Sequence, residues 1–316
     1  MQECVQPEVN RNVKGIIFDV KRFATSDGPG IRTLVFLKGC PLKCRWCANP
    51  ESQRFTPEMI YYSKNCTGCG RCLAACPEGA IRPNPNTGRF TVDREKCTAC
   101  GKCVNACYYE ARKLVGQEIT VSELVSTILK DKQFYDNSNG GVTLTGGEPL
   151  SQPDFSRELL KACKQSGIHT AMETSGYAPW KQMEGLLPYL DLLFLDFKQI
   201  DPELHREFTG VGNAQILENL TRLNEVFSGD LIVRIPFIPG CNNSDETISR
   251  MIDCVSHFKT VRRIEIMPYH RFGTTKYAGL DRRYALEGVD AIKKQDLDYL
   301  RKLGDQFSIT VQVDAE

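Results

Sequence analysis

A chain of 316 residues, 41% hydrophobic and 25% charged, has the proportions of a globular protein with one large domain or a core domain plus a small module. A formal charge of +1 excludes a broad electrostatic footprint for nucleic acid or an anionic membrane. The polar start, residues 1–14, lacks the apolar core of a secretory signal, and no run of about 18 apolar residues suggests a membrane span. The expectation is a cytoplasmic protein with neither nucleic acid nor membrane among its partners.

In chain order, a strand-like run at 15–20 (GIIFDV) leads through a glycine-rich turn to a second at 33–39 (TLVFLKG). Residues 61–112 carry eight cysteines among many Gly, Pro and Asn residues, with little apolar periodicity. From 118 onward, strand-like runs at 141–147, 169–175, 192–198, 231–237, 262–268 and 308–313 alternate with helical stretches. The clearest helix covers 154–163: Phe155, Leu159, Leu160 and Cys163 share one face, Pro153 suits its first turn and Gly167 its end. Strands alternating with helices predict βαβ units on a parallel sheet. About six units fit, too few for a closed eight-stranded barrel, so the predicted fold is α/β, a partial (β/α)6 TIM-type barrel. The cysteine-rich stretch is then an insert between the first barrel strand and its helix near 121–135. This divides the chain into 15–60, 61–112 and 113–316.

Cysteine is the outlying residue: there are 15, an odd number, and 11 fall between Cys40 and Cys107. In a chain without a secretory signal this points to metal, not disulfides. Cys40, Cys44 and Cys47 can wrap one face of a cubane cluster and leave one iron without a protein ligand. Such an open position separates catalytic from structural metal sites. A structural zinc would want a fourth ligand nearby, and no His or Cys follows until Cys66. The segment NCTGCGRCLAACP from Asn65 is echoed by KCTACGKCVNACY from Lys96, each with C-x2-C-x2-C-x3-C spacing. Pro77 after the first run completes the bacterial ferredoxin pattern, in which the fourth cysteine serves the other cluster. The predicted sets are Cys66, Cys69, Cys72 and Cys107, and Cys97, Cys100, Cys103 and Cys76. Zinc is the alternative for any single C-x2-C pair. Cys4, Cys163, Cys241 and Cys254 receive no function, and packing is the reading for Cys163 and Cys254.

With Trp46 ahead of its last cysteine, the Cys40/Cys44/Cys47 run resembles the radical S-adenosylmethionine superfamily. Ser26-Asp27-Gly28-Pro29-Gly30-Ile31-Arg32-Thr33, just upstream, looks like the signature of glycyl-radical-enzyme activating enzymes, and the insert resembles their larger type with two ferredoxin-like 4Fe-4S clusters. The resemblance implies three 4Fe-4S clusters and S-adenosylmethionine as cosubstrate. It implies that Gly146, Gly147 and Glu148 (TGGEP) hold the methionine amino group, and that Glu173 and Ser175 lie near the methionine carboxylate. Asp196 and Lys198 (D-x-K) alternate onto one face of a strand, where Lys198 would reach that carboxylate. Arg234 offers a fork for a carboxylate or ribose oxygens. His270 would touch adenosine, and the backbone at Trp46 and Ala48 the adenine. Asp27 is the implied contact to a partner peptide.

The implied activity is reductive cleavage of S-adenosylmethionine to a 5′-deoxyadenosyl radical, which removes a hydrogen atom from one glycine of a partner glycyl-radical lyase, decarboxylase or dehydratase. A flavodoxin or ferredoxin would supply electrons, and the chain would work as a monomer. Two other readings are a ferredoxin-like electron carrier, which leaves DGPG, GGEP and D-x-K unexplained, and a radical modifier of other peptides, which would want cysteines after Cys254.

Overall fold

The computed structural model describes residues 8–313; Cys4 lies outside the described residues. Strand β1 (Lys14–Ala24) runs antiparallel to β2 (Arg32–Leu37), pairing Val20 with Val35 and Ala24 with Arg32. Four short strands follow within and around the cysteine-rich stretch: β3 (Glu58–Tyr61), β4 (Ile81–Asn84), β5 (Arg89–Val92) and β6 (Arg112–Val115). Then come β7 (Gln117–Thr120), β8 (Gly141–Gly146), β9 (His169–Thr174), β10 (Leu192–Asp196), β11 (Asp230–Phe237), β12 (Val261–Pro268) and β13 (Val311–Val313).

Nine of these form one mixed sheet in the order β13-β12-β11-β10-β9-β8-β2-β1-β7. From β2 to β13 every neighbour is parallel, while β1 is antiparallel to both β2 and β7. The seven parallel strands stand in sequence order, which a chain of right-handed βαβ crossovers produces. Each strand-like run read from the sequence overlaps one of these strands, though 308–313 becomes strand only from Val311 and 192–198 only to Asp196.

Period-2 alternation decides what each face carries. Val35, Leu37, Val142, Leu144, Leu193, Leu195, Val233, Ile235, Ile264 and Ile266 point to one face and join the main hydrophobic core. That core is closed by helices. Helix Pro153–Gln165 buries Phe155, Leu159, Leu160 and Cys163, with Pro153 in its first turn and Gly167 in the left-handed region just past its end (φ +68°). Truncating Leu159 to Ala would cost about 2–5 kcal/mol through lost burial and a residual cavity. Helix Val121–Ile128 begins in a capping box, Thr120 accepting from the Glu123 N–H while Glu123 reaches back to Thr120.

The opposite face of the same strands carries Thr143, Thr145, Glu173, Asp196, Arg234, Glu265 and Met267. A stretch of polar groups down the inner face of a parallel sheet is costly unless they pair with one another or with a ligand. Two cavities, of about 600 and 440 Å³, open on this face.

The insert is a small module with its own symmetry. β3 pairs with β6 and β4 with β5, each antiparallel. A one-turn helix carries the third cysteine of each run, Cys72 in Arg71–Ala74 and Cys103 in Lys102–Asn105. Gly70 and Gly101 precede them with nearly equal left-handed torsions, φ 76°, ψ −8° and φ 76°, ψ −10°. The sequence repeat is therefore a structural repeat down to backbone angles.

Candidate active site

The loop bearing Cys40, Cys44 and Cys47 leaves the C-terminal end of β2 and is held by its own backbone. Gly39 N–H donates to Ser52 O at 2.6 Å and Cys40 N–H to Gln53 O at 3.3 Å. Lys43 and Arg45 N–H donate to the carbonyls of Thr209 (2.7 Å) and Phe208 (3.0 Å), at the end of helix Pro202–Thr209. Gly147 and Glu148 N–H donate to Leu37 O and Gly39 O, both at 2.8 Å, and lock the turn after β8 beside the loop. That approach requires glycine: Gly146 has φ +106°, and a Cβ there would stand 2.7 Å from Leu37 N.

Between this loop and the strand ends lies a cavity of about 600 Å³. Cys40, Cys44, Cys47, Trp46 and Ala48 line it from the loop, Gly146 and Gly147 from β8, and Glu173 and Ser175 from β9. Asp196 and Lys198 line it from β10, and His270 from the segment after β12, where its ring stacks on Phe272 at 4.3 Å. Lys198 donates to Asp196 at 2.8 Å. Burial works against the Lys198 charge, but Asp196 and the Cys44 sulfur outweigh it and raise its pKa. Burial raises the Cys44 thiol to about 12 and pushes Cys40 well above the usual thiol range.

Three of the residues named from sequence stand elsewhere. Glu148 is not on the cavity wall. Its carboxylate is buried and accepts from Thr174 Oγ1 (2.6 Å), Ser175 N (2.8 Å), Ser175 Oγ (2.6 Å) and Leu150 N (3.1 Å). A buried carboxylate takes the donors within reach, so Glu148 sets the positions of Thr174 and Ser175, which do line the cavity. Asp27 and Arg234 line a second cavity of about 440 Å³ further along the polar face, together with His169, Phe194, Arg263 and Glu265. There Arg234 donates to Asp27 (2.7 Å), Glu173 (2.9 Å) and Glu265 (3.0 Å) and lies 3.7 Å from the Phe194 ring centroid. Burial raises the Asp27 pKa, and Glu173 adds to it against Arg234. Burial also disfavours charge on Glu173, but Arg234 and Thr145 overcome that and lower its pKa. Glu173 and Met267 line or join both cavities, so the two regions are neighbours along one face.

The insert encloses two smaller cavities. Cys66, Cys69, Cys72 and Cys107 line one, and Cys76, Cys97, Cys100 and Cys103 the other. Each takes three cysteines from one run and the fourth from the other, the crossing that ferredoxin-type ligation requires. Among the described residues no three or more His, Cys, Asp or Glu side chains converge on a point for a single metal ion; the sulfurs ring open cavities.

A model of the radical SAM superfamily matches residues 98–252, one of the 4Fe-4S dicluster domain residues 65–111, and one of the 4Fe-4S single cluster domain residues 26–75. The choline trimethylamine-lyase activating enzyme of Oleidesulfovibrio alaskensis is 40% identical over 95% of this chain and 98% of its own length. The (2S)-3-sulfopropanediol sulfolyase activating enzyme of Bilophila wadsworthia is 44% identical over 90% and 94%. The 4-hydroxyphenylacetate decarboxylase activating enzyme of Clostridioides difficile is 40% identical over 93% and 94%.

The chain belongs to the radical SAM family of glycyl-radical-enzyme activating enzymes.

Solved structures agree on the fold of this activating enzyme. A radical SAM methyltransferase from Sphaerobacter thermophilus aligns at 12% identity over 90% of this chain and 66% of its own, with a TM-score of 0.51. Streptococcus suis SuiB bound to its precursor peptide aligns at 16% identity over 87% and 46%, with a TM-score of 0.50.

Sequence reasoning passed over several parts of the site. Phe208 and Thr209 hold the cysteine loop through main-chain carbonyls, which leave no side-chain signature. Thr174, Met267 and Tyr269 line the main cavity at strand ends; for them only position after a strand could have served as a signal. Of the four thiols set aside, Cys163 is fully buried, and Cys241 and Cys254 are half-buried.

Proposed function

We propose that the nine-stranded sheet curls into a partial barrel whose mouth, at the C-terminal strand ends, is the reaction site of this activating enzyme. One observation carries the reading: three cysteines, two close-packed glycines and the Asp196–Lys198 pair face one another across a single cavity of about 600 Å³. Cys40, Cys44 and Cys47 would hold a 4Fe-4S cluster with an open iron. Cys66, Cys69, Cys72 and Cys107 would hold a second cluster, and Cys97, Cys100, Cys103 and Cys76 a third. When bound, the first cluster supplies the electron that cleaves S-adenosylmethionine to the 5′-deoxyadenosyl radical, which takes a hydrogen atom from a glycine of the partner enzyme.

The chain's own residues bind, orient and enclose. Gly146 and Gly147 let the cosubstrate's amino end approach main chain. Lys198, kept charged by Asp196, meets a carboxylate. Ser175, positioned by Glu148, offers a hydroxyl beside it. His270 and the main chain at Trp46 and Ala48 border the adenosine end. Asp27, at the turn between β1 and β2, contacts the entering glycine loop, and Arg234 fixes Asp27 and Glu173 relative to each other. The partner is a glycyl-radical lyase, decarboxylase or dehydratase, as the names of the relatives indicate for those proteins. A flavodoxin or ferredoxin is the electron donor, and the chain acts as a cytoplasmic monomer. Among the described residues no helix is long and apolar enough to cross a membrane.

The test is mutational. Lys198→Ala would raise the KM for S-adenosylmethionine at least tenfold while the iron content stays that of the parent protein. An unchanged KM would remove Lys198 from the cosubstrate site.

A further inference from the structure

The two halves of the insert align in sequence at an offset of 31, Cys66 with Cys97 and Cys76 with Cys107. The walls of the two cysteine cavities follow the same rule. Gly70 answers to Gly101, Arg71 is replaced by Lys102 in the other half, Ala111 answers to Ala80, and Phe90 takes the place of Met59. At three positions the chemistry differs. Arg112 lines the Cys66/Cys69/Cys72/Cys107 cavity where Ile81 lines the other. Tyr61 stands beside the Cys66 sulfur where Val92 lines the other cavity. Tyr109 occupies the place that Glu78 has in the second cavity. The pairing repeats as well: Tyr61 sits opposite Arg112 across β3 and β6, and Ile81 opposite Val92 across β4 and β5.

Arg112 is only 2% exposed, yet its Nη2 has no hydrogen-bond partner, and Tyr61 Oη is buried without an oxygen or nitrogen partner. The guanidinium lies 4.6 Å from the Tyr61 ring centroid, and its other terminal nitrogen contacts only the Met59 sulfur, at 3.7 Å. A buried cation with an unused N–H is costly. A negatively charged group in the cavity beside it would meet that cost, and the thiolate-ligated cluster of the reading above is such a group.

We propose that Arg112 and Tyr61 make the Cys66/Cys69/Cys72/Cys107 site the higher-potential member of the auxiliary pair. The inference rests on the cluster assignment under Proposed function. One-electron reduction adds a negative charge to a cluster, and a nearby fixed cation and hydrogen bonds to sulfur both favour the reduced form. The effect is large where water is excluded. Ile81 and Val92 give the other site neither charge nor donor; the Arg112 charge also reaches Cys103 there, but Arg112 lines only the Cys66/Cys69/Cys72/Cys107 cavity. Glu78 opposes reduction there, weakly, because it is exposed and screened by salt. All three differences act in the same direction. Arg112 is a tuning residue, acting through the field it places on the site and not by touching substrate.

The experiment uses the full chain with Cys40, Cys44 and Cys47 replaced by Ala, reconstituted anaerobically so that only the insert holds clusters, and titrated potentiometrically with EPR detection. Two separable one-electron waves are expected. Tyr61→Phe lowers the upper wave and leaves the lower one in place. Arg112→Ile/Tyr61→Val, which copies the other half, lowers the reduced-to-oxidised ratio of the upper site at least tenfold at fixed potential, about 59 mV for one electron. Coincident waves in the parent, or an upper wave unmoved by either variant, overturns the proposal. Should Arg112→Ile lose iron, Tyr61→Phe alone decides, since it removes one hydroxyl and no bulk. A parent that assembles no iron–sulfur clusters in the insert overturns the cluster reading and this inference together, an outcome distinct from clusters that form and titrate alike.

Discussion

Arg234 on β11 donates to Asp27 in the turn between β1 and β2 at 2.7 Å, joining residues 207 apart in sequence. The same guanidinium holds Glu173 and Glu265, so one cation bridges three carboxylates, of which Glu265 also pairs with Arg263. A fork with several N–H donors can do this in a fixed plane, and a lysine ammonium cannot.

Removing that cation leaves the part-buried Asp27 and Glu173 without their ion-pair partner, while Glu265 keeps Arg263. Arg234→Ala is expected to cost about 3–5 kcal/mol, the range for breaking a buried pair from one side. Arg234→Lys keeps the charge and should cost less. Urea unfolding midpoints check both; equal stability of all three proteins would contradict the assigned role.

Glu148 makes a comparable prediction on a smaller scale. Its two oxygens accept four hydrogen bonds from Thr174, Ser175 and Leu150. Glu148→Gln would turn an NH2 toward donors and cost about 1–3 kcal/mol. Because Ser175 lines the cavity, the KM for S-adenosylmethionine should rise with that loss. Stability that falls while the KM stays constant would separate Glu148 from the site.

Acid stability should depend on His205. It is fully buried on helix Pro202–Thr209, its Nδ1–H donating to Val211 O at 2.6 Å while Nε2 lies buried without a partner. Burial lowers its pKa below the ordinary 6.5. The unfolded chain then binds the proton first, so stability present above pH 6.5 is lost as pH falls from there through the folded pKa. The slope cannot exceed about 1.4 kcal/mol per pH unit for this group. His205→Gln keeps a donor for Val211 and should flatten the fall in melting temperature between pH 6.5 and 5.5. An unchanged slope would assign the acid sensitivity to other groups.

Cys163 is expected to be inert. It is 0% exposed, and burial alone raises its thiol to about 12. Alkylation at pH 8 before cluster reconstitution should label the exposed Cys69 and Cys100 quickly and Cys163 only in denaturant. Rapid labelling of Cys163 in the native protein would contradict its place in the core.

The sequence was informative where a single local signal decides an element. The short apolar run at 192–198 marks β10, and the one-faced set Phe155, Leu159, Leu160 and Cys163 marks the helix 153–165. The offset repeat of four cysteines also implied the crossed sets that line the two insert cavities. What stayed hidden depends on contacts between distant strands. Nothing local to Glu148 says that Thr174 and Ser175 will claim its carboxylate, or that Asp27 and Arg234 will meet in a second cavity. Main-chain support of the cysteine loop by Phe208 and Thr209 is likewise a property of the assembled fold.

The central claim is radical generation at the Cys40/Cys44/Cys47 loop. The most direct measurement reconstitutes the protein anaerobically with iron and sulfide, reduces it, adds S-adenosylmethionine and quantifies 5′-deoxyadenosine. The account predicts product from the native chain and none from Cys44→Ala. A fully iron-loaded native protein that forms no 5′-deoxyadenosine would contradict it.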